Sequence, residues 1–179
     1  MEEVKSMDKY FITQEEKDKL ETIYERFLKN EKIGKMKEIS MHRGSNTYIH
    51  CFLVAKRSIK VAIKKKKKIH FEALLIGAIL HDYYLYDWRK DRALLKKHGK
   101  NHPFIARDNA IRDFGISSEV CDIIVSHMWP FNFKLYPRTI EAKIVAKSDN
   151  VIAFKEFLTS KKHKQKHQDE RLKNISKLF

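Results

Sequence analysis

The sequence has few of the residues that interrupt or cross-link a chain: it contains 5 Gly, 3 Pro and 2 Cys in 179 residues. Because glycine and proline are the residues that most often form tight turns or interrupt helices, their scarcity favours long helices. Cys51 and Cys121 lie far apart within apolar helical patterns, so we expect both to be reduced, with no disulfide framework. No apolar run approaches the roughly 18 residues of a membrane span, and MEEVKSMDKY lacks the apolar segment of a signal peptide. These absences predict a cytoplasmic protein with no membrane segment.

Acidic residues are also scarce relative to basic ones, with 23 Asp and Glu against 38 Lys and Arg, a formal net charge of +15. Such an excess attracts polyanions, including nucleic acids and phosphorylated small molecules. Much of it lies in KKKKK at Lys64–Lys68 and in KKHKQKH at Lys161–His167. Both stretches lack the interleaved aromatic residues of a base-stacking surface. A solvated loop and a solvated tail are therefore the simpler interpretation, and nucleic acid stays open as a partner without being favoured.

Apolar residues recur at helical spacing along most of the chain, and no stretch alternates as a strand would. The pattern predicts an all-α fold, a compact bundle of about six or more helices. The predicted helices begin after Thr13, at Asn46 or Thr47 (to Ile63), at Phe71 (to Tyr86), at Pro103 (to Gly115), at Ser117 or Ser118 (to His127) and near Thr139. We expect an N-terminal helical extension over 1–40, the main domain over 41–158 and a basic tail over 159–179.

Six ionisable residues fall on or beside the apolar faces of these helices: His50, His81, Asp82, His102, His127 and Asp149. A lone histidine there is commonly a hydrogen-bonded core residue, and Asp149 could cap a helix or pair with a lysine. Two inward carboxylates are harder to accommodate, because an unpaired buried carboxylate is destabilising or is forced to protonate. Four histidines and two aspartates form a nitrogen and oxygen ligand set typical of iron, manganese or zinc. Two divalent ions sharing a bridging carboxylate would use all six.

The order of these residues, within YIHCFLVAKRS, LLIGAILHDYYLYDW, NHPFIARDNAIRDFGI, IIVSHMWP and IVAKSDN, resembles the HD superfamily of metal-dependent phosphohydrolases over about residues 41–155. With His102 and His127 present, the chain is similar to the dinuclear branch, which includes the HD-type diadenosine tetraphosphate hydrolases and the cyclic-di-GMP phosphodiesterases. DIIVSHMWP and HPFIARDNAIRDFGI look closer to the former. The chain also looks like small bacterial HD-domain proteins. KSDN departs from the pattern of many relatives, which have Ala-Asp before a basic or aromatic residue, but it keeps the aspartate of that pattern at Asp149.

The resemblance implies an HD-type fold, a cofactor of two divalent metal ions and a role for each of the six residues. His50, His81 and Asp149 would hold one ion, His102 and His127 the other, and Asp82 would bridge both and act as the catalytic residue. The implied reaction is cleavage of a phosphoester or phosphoanhydride bond, with a nucleotide as the expected substrate, by a metal-activated water. Guanidinium groups suit phosphate, and three arginines close in sequence to these positions are candidates for binding substrate: Arg43, Arg89 and Arg107. Ordinary surface charge is their alternative interpretation.

Two other functions remain open at this stage. The same six ligands resemble those of di-iron oxygenases such as myo-inositol oxygenase, which require iron and consume oxygen. A non-catalytic module that binds nucleic acid through its basic segments would instead show steep salt dependence. The small, basic chain and the closer motifs favour the hydrolase, whereas the oligomeric state has no signal in the sequence.

Overall fold

The computed structural model describes residues 12–40, 45–65, 67–89, 92–158 and 164–179, with only the backbone for 92–94 and 164–168. Helices form almost all of its regular structure: α1 (Gln14–Leu28), α2 (Glu31–Gly34), a 3-10 helix (Lys35–Glu38), α3 (Thr47–Ile63), α4 (Phe71–Leu80), α5 (Arg92–Phe114), α6 (Ser118–Ser126), α7 (Ile140–Leu158) and α8 (Lys164–Asn174). Within these ranges the one β contact is an isolated bridge between Ser40 and Asn46. The predicted all-α fold is confirmed.

Three helices begin where a polar side chain was expected to cap them. Thr13 and Glu16 form a reciprocal capping box at α1, with the Glu16 amide donating to the Thr13 hydroxyl at 3.1 Å. Asn46 Oδ1 accepts from the amide of Ile49 at 2.9 Å, and Ser117 caps α6. Each cap accepts a bond from an amide that has no intrahelical partner, which fixes the residue at which the helix begins.

The predicted helix over residues 71–86 is wrong at its C-terminal end, because α4 ends at Leu80. His81 and Asp82 lie in the turn that follows, and Tyr83 and Tyr84 are buried although they are not helical. Leu85 has φ of 56°, a left-handed conformation that a continuing α-helix excludes. The apolar pattern past Leu80 therefore reflects burial of irregular chain.

The predicted start of a helix at Pro103 is also wrong, since α5 runs from Arg92 to Phe114 with Pro103 inside it. A proline inside a helix removes one backbone hydrogen bond and costs about 3 kcal/mol. The packed positions that follow, Ala106 and Ala110, are fully buried. Tertiary packing thus overrides the local signal of HGKNHP.

The core lies around α3, which packs against α4 on one side and α7 on the other, while α4 also packs against α6. The α4–α6 contact is close at Gly77, where an added Cβ would stand 2.6 Å from Cγ2 of Ile123. Cys51 is buried in this core, and both Cys51 and Cys121 are free thiols, as expected. None of the described helices is both long enough and apolar enough to cross a lipid bilayer.

Residues taken from the sequence as a basic tail include helix α8 and a segment that packs on the core. Ile175 and Leu178 are buried, and the carbonyl of Ile175 accepts from the Tyr24 hydroxyl at 3.0 Å. The amide of Leu178 donates to Glu21 Oε1 at 3.0 Å, so residues 175–179 dock on α1. The predicted domain boundaries, after residues 40 and 158, stay a prediction. In the structure, the N-terminal and C-terminal segments outside them contact each other.

Candidate metal centre

The structure brings the six sequence-predicted residues together at the centre of the helix bundle. They come from five places in the chain: His50 from α3, His81 and Asp82 from the turn after α4, His102 from α5, His127 from the residue after α6, and Asp149 from α7. Five of them are buried, and Asp149 is the most exposed at 14 % of its side-chain surface.

One half of the cluster joins α3, α4 and α7. His50 Nε2 lies 3.0 Å from Asp149 Oδ1, and His81 Nε2 lies 3.8 Å from the same oxygen. His81 Nε2 is also 3.6 Å from Asp82 Oδ2. The imidazoles and carboxylates of this half therefore converge on a small common volume.

The other half joins Asp82 to α5 and α6. Asp82 Oδ1 lies 3.2 Å from His102 Nε2 and 3.5 Å from His127 Nε2, although the buried oxygen forms no hydrogen bond of good geometry within the described residues. The two Nε2 atoms are 3.0 Å apart. Asp82 thus faces both halves, one through each carboxylate oxygen.

Ligand atoms that lie within 4.8 Å of one another fall into three overlapping groups: His50, His81 and Asp82; His81, His127 and Asp149; and Asp82, His102 and His127. The first and last of these groups share only Asp82, and the middle group joins the two halves of the cluster through His81, His127 and Asp149. The cluster could therefore hold divalent metal.

Backbone carbonyls fix the orientation of three of the imidazoles. A carbonyl can only accept, so His81 Nδ1 donates to Ala78 O at 2.8 Å, His102 Nδ1 to His98 O at 2.8 Å and His127 Nδ1 to Ile124 O at 2.6 Å. With the proton fixed on Nδ1, the neutral form of each ring presents an unprotonated Nε2 to the cluster, the tautomer that a metal ligand requires.

The polar atoms of the cluster fit a divalent cation. His102 and His127 direct two nitrogen lone pairs at each other across 3.0 Å, which is unfavourable without a positive charge near both. His81 Nε2 is buried without a hydrogen-bond partner among the described residues. Such an orphaned group is costly unless an ion or water satisfies it. Imidazole and carboxylate together are a donor set for iron, manganese or zinc.

The charges of the cluster are strongly interdependent. Burial lowers the pKa of His127 to about 4, which keeps its imidazole neutral at physiological pH. Burial would also lower the pKa of His50, but hydrogen bonds to Asp149 and Glu156 raise it well above its ordinary value. Burial raises the pKa of Asp82, whereas the neighbouring histidines, His81 first, bring it well below the usual range. Asp82 is therefore a carboxylate in the folded protein.

Glu156 joins the site, and the sequence analysis did not identify it. Its side chain is 1 % exposed, and its Oε2 accepts from His50 Nδ1 at 2.8 Å. Its other oxygen, Oε1, lies 3.4 Å from a guanidinium nitrogen of Arg171 in α8. Glu156 stands two helical turns after Asp149 and so shares its face of α7, a signal that the spacing carried.

A stack of rings supports the α5 side of the site and was also missed. His98 lies between Trp88 and His102, with ring centroids 4.7 Å and 4.5 Å away. The Tyr86 hydroxyl is 2.9 Å from His98 Nδ1. Burial lowers the pKa of His98 to about 4, so the His98 ring is uncharged at physiological pH. The four-residue spacing of His98 and His102 was the available signal.

Of the three arginines predicted to bind substrate, the two that the structure describes contact groups outside the six-residue cluster. Arg43 lies outside the described residues. Arg89 stacks on Trp88, 4.4 Å from the ring centroid, and donates to the carbonyl of Ser40. Arg107 pairs with its neighbour Asp108 at 2.7 Å. Their role in binding substrate stays a prediction.

A buried cluster of four histidines and two aspartates inside an all-α bundle places the chain in a class of helical proteins with a site that could hold divalent metal. Comparison with protein families makes the class specific: the family model described as HD domain matches residues 47–153, more than half of the chain. The chain belongs to the HD domain family. The comparisons with curated proteins and with solved structures each gave no match.

HD domains bind divalent metals and are generally metal-dependent hydrolases that act on phosphorylated small molecules. The matched range contains all six residues of the cluster, from His50 to Asp149. The superfamily expected from the sequence motifs is therefore confirmed.

Proposed function

We propose that the protein is a dinuclear metal-dependent phosphohydrolase that cleaves a phosphoester or phosphoanhydride bond of a nucleotide, in the manner of the HD-type diadenosine tetraphosphate hydrolases. The observation that carries the proposal is that two of the three ligand groups, His50–His81–Asp82 and Asp82–His102–His127, meet at Asp82, while Asp149 lies beside His50 and His81. In a mononuclear site held by His50, His81, Asp82 and Asp149, the facing Nε2 atoms of His102 and His127 would have no metal to bind.

His50, His81 and Asp149 would hold one ion, His102 and His127 the second, and Asp82 would contact both. Two divalent ions bound there would lower the pKa of a bound water and neutralise charge on phosphoryl oxygens. Because Asp82 is ionised and fixed by burial, its carboxylate can accept a hydrogen bond from the attacking water and orient it towards phosphorus. Asp82 is thus the proposed catalytic residue.

The protein's own groups also determine where substrate would approach. Asp149 is the most exposed of the six side chains, so the cluster is most open on the side of α7. The other five are enclosed by α3, α4, α5 and α6, which excludes bulk water and strengthens local electrostatic interactions. The net charge of +15 favours approach of a phosphorylated substrate.

Metal content and turnover on the same preparations test the proposal. The expected result is about two iron, manganese or zinc ions per chain by plasma mass spectrometry on protein purified without chelator or oxygen, with phosphate release from dinucleoside polyphosphates. Asp82→Ala should abolish turnover with the helical circular dichroism kept. Asp122→Ala, which removes an exposed carboxylate from α6, is the matched control and should retain it.

Other outcomes would separate the alternatives. One ion per chain would indicate a mononuclear enzyme and would refute the proposed roles of His102 and His127 as metal ligands. Oxygen consumption by an iron-loaded protein without anaerobic phosphate release would identify an oxygenase. If the protein holds no metal after reconstitution and binds nucleic acid in a salt-dependent way, it is a nucleic-acid-binding module and not an enzyme.

A further inference from the structure

A second feature of the molecule, outside the metal cluster, is a basic pocket of about 350 Å³ between α3 and α7. Its volume lies within the range of small-ligand sites, roughly 300–1,000 Å³. Five cationic side chains line it, together with Ser148 and an apolar floor: Arg57, Lys65, Lys67, Lys143 and Lys147. Two of these lysines belong to the pentalysine run, for which neither the fold nor the metal cluster gives a reason.

The positive charge of this pocket is uncompensated. No carboxylate lines it, and none of the five cations forms an ion pair with a carboxylate anywhere in the described ranges. Elsewhere on the surface, lysines do find partners, as Lys19 does with Glu72 at 2.6 Å and Lys32 with Asp113 at 3.0 Å. Like charges that converge on a concave surface raise the local potential and concentrate anions there.

Arg57 differs from the exposed lysines of the pocket because part of its guanidinium group is buried. Its Nε is buried and has no hydrogen-bond acceptor among the described residues. A buried guanidinium donor left unpaired is costly, so an acceptor supplied by a ligand would stabilise it. Guanidinium groups bind phosphate oxygens through two parallel hydrogen bonds, which makes phosphate the fitting anion.

The pocket lies on the helix pair that carries the metal cluster, and its residue Ser148 is the neighbour of the cluster residue Asp149 in α7. Adjacent side chains of a helix point about 100° apart, so Ser148 and Asp149 face different sides of α7. Arg57 is seven residues from His50, which is about 10 Å along α3. An anion held by Arg57 and Lys143 would thus bind beside the cluster and independently of its ligands.

We infer that this pocket is a second binding site, for a small molecule that carries a chain of phosphates, distinct from the metal centre. Five cations in one concave site match an oligophosphate better than a single phosphate, because several charges must be neutralised together. Nucleic acid is the less favoured ligand, because none of the described residues that line the pocket is an aromatic on which a base could stack. The inference does not depend on the proposed hydrolysis.

Calorimetric titration of the full-length protein with inorganic tripolyphosphate tests the inference. The double variant Lys143→Ala/Lys147→Ala should bind about tenfold more weakly or worse, since two charge-assisted contacts are lost. The matched control Lys60→Ala/Lys173→Ala removes the same charge from exposed positions of α3 and α8 and should keep the affinity within about twofold. Arg57→Lys, which keeps the charge and loses Nε, should weaken binding several-fold.

Every outcome decides for or against the pocket. Selective loss in the pocket variants, with unchanged circular dichroism and metal content, supports it. Equal weakening in the pocket and control variants shows diffuse attraction to a basic protein and overturns it. No binding of tripolyphosphate, with tight binding of a single-stranded RNA oligonucleotide, also overturns it and assigns the basic surface to nucleic acid.

Discussion

The hydrogen bond between His50 and Glu156 makes a sharp prediction about metal affinity. Nδ1 of His50 and Oε2 of Glu156 are 2.8 Å apart, and both side chains are essentially inaccessible, at 0 % and 1 % exposure. A carboxylate behind a ligating imidazole orients the ring and increases its basicity, and loss of such a partner costs about 10- to 100-fold in metal affinity. We therefore expect Glu156→Gln to weaken binding about tenfold and Glu156→Ala about 100-fold, or about 1.4 and 2.7 kcal/mol.

The two substitutions differ because glutamine keeps the size of the side chain and one accepting oxygen but removes its charge. Arg171 contacts Oε1, the oxygen that does not accept from His50, so Arg171→Gln should weaken binding less than either. The assay is titration of metal-depleted protein with Co²⁺, followed by the visible absorption of the bound ion and by competition with a chelator of known affinity. This readout measures binding directly, without enzyme turnover.

Glu141→Gln is the matched control for this experiment. Glu141 is a buried carboxylate of the same helix, but it accepts from the backbone amide of His70 at 2.9 Å and does not face the cluster. It should leave Co²⁺ affinity unchanged even if it lowers stability. Wild-type affinity in both Glu156 variants would refute the positioning role of Glu156, and an equal loss in Glu141→Gln would show that the effect is a general response to losing a buried charge.

Three further predictions concern the rest of the molecule. His102→Ala should reduce the metal content from about two ions per chain to about one, and an unchanged content would contradict its assignment as a ligand. Gly77→Ala should lower the free energy of unfolding by about 1–3 kcal/mol in urea denaturation, whereas Gly34→Ala, with open space around it, should not. The Arg112 guanidinium holds the pKa of Asp113 below its ordinary value of 3.8, so Asp113 stabilises the fold above that pH. The stability difference between wild type and Asp113→Asn should accordingly shrink as the pH falls from about 5 to about 2, and a constant difference would exclude this contribution.

Local signals predicted the helix starts that depend on one side chain and one amide. Thr13, Asn46 and Ser117 cap helices as expected because a capping bond is made within three residues and needs no tertiary partner. The errors at Leu80 and Pro103 arise where tertiary packing outweighs the local signal. Packing against elements far away in sequence buries Tyr83 and Tyr84 without a helix, and it also allows α5 to continue through Pro103.

The site was more predictable than the helix ends around it. Inward carboxylates have few explanations in a folded protein, so Asp82 and Asp149 restricted the possible chemistry before their neighbours were known. Glu156 and His98 were missed because each contacts a cluster histidine and not the cluster centre. The family motif specifies the cluster residues and not the side chains that support them. Their spacing from Asp149 and His102, seven and four residues, becomes informative only when those two residues are already assigned.

The distribution of charge along α3 and α7 links the metal centre to the basic pocket. On the side of this helix pair that faces the metal cluster, Asp149 and Glu156 each contact one nitrogen of His50. On the side that faces the pocket, no carboxylate of the described residues lines the space beside Arg57 and the lysines. The helix pair therefore presents excess positive charge next to a centre that would itself gain positive charge on binding divalent ions. Both sides attract phosphate by the same electrostatics, but only the cluster side offers the nitrogen and oxygen ligands that metal requires, and so the pocket can bind an oligophosphate without being able to hydrolyse it.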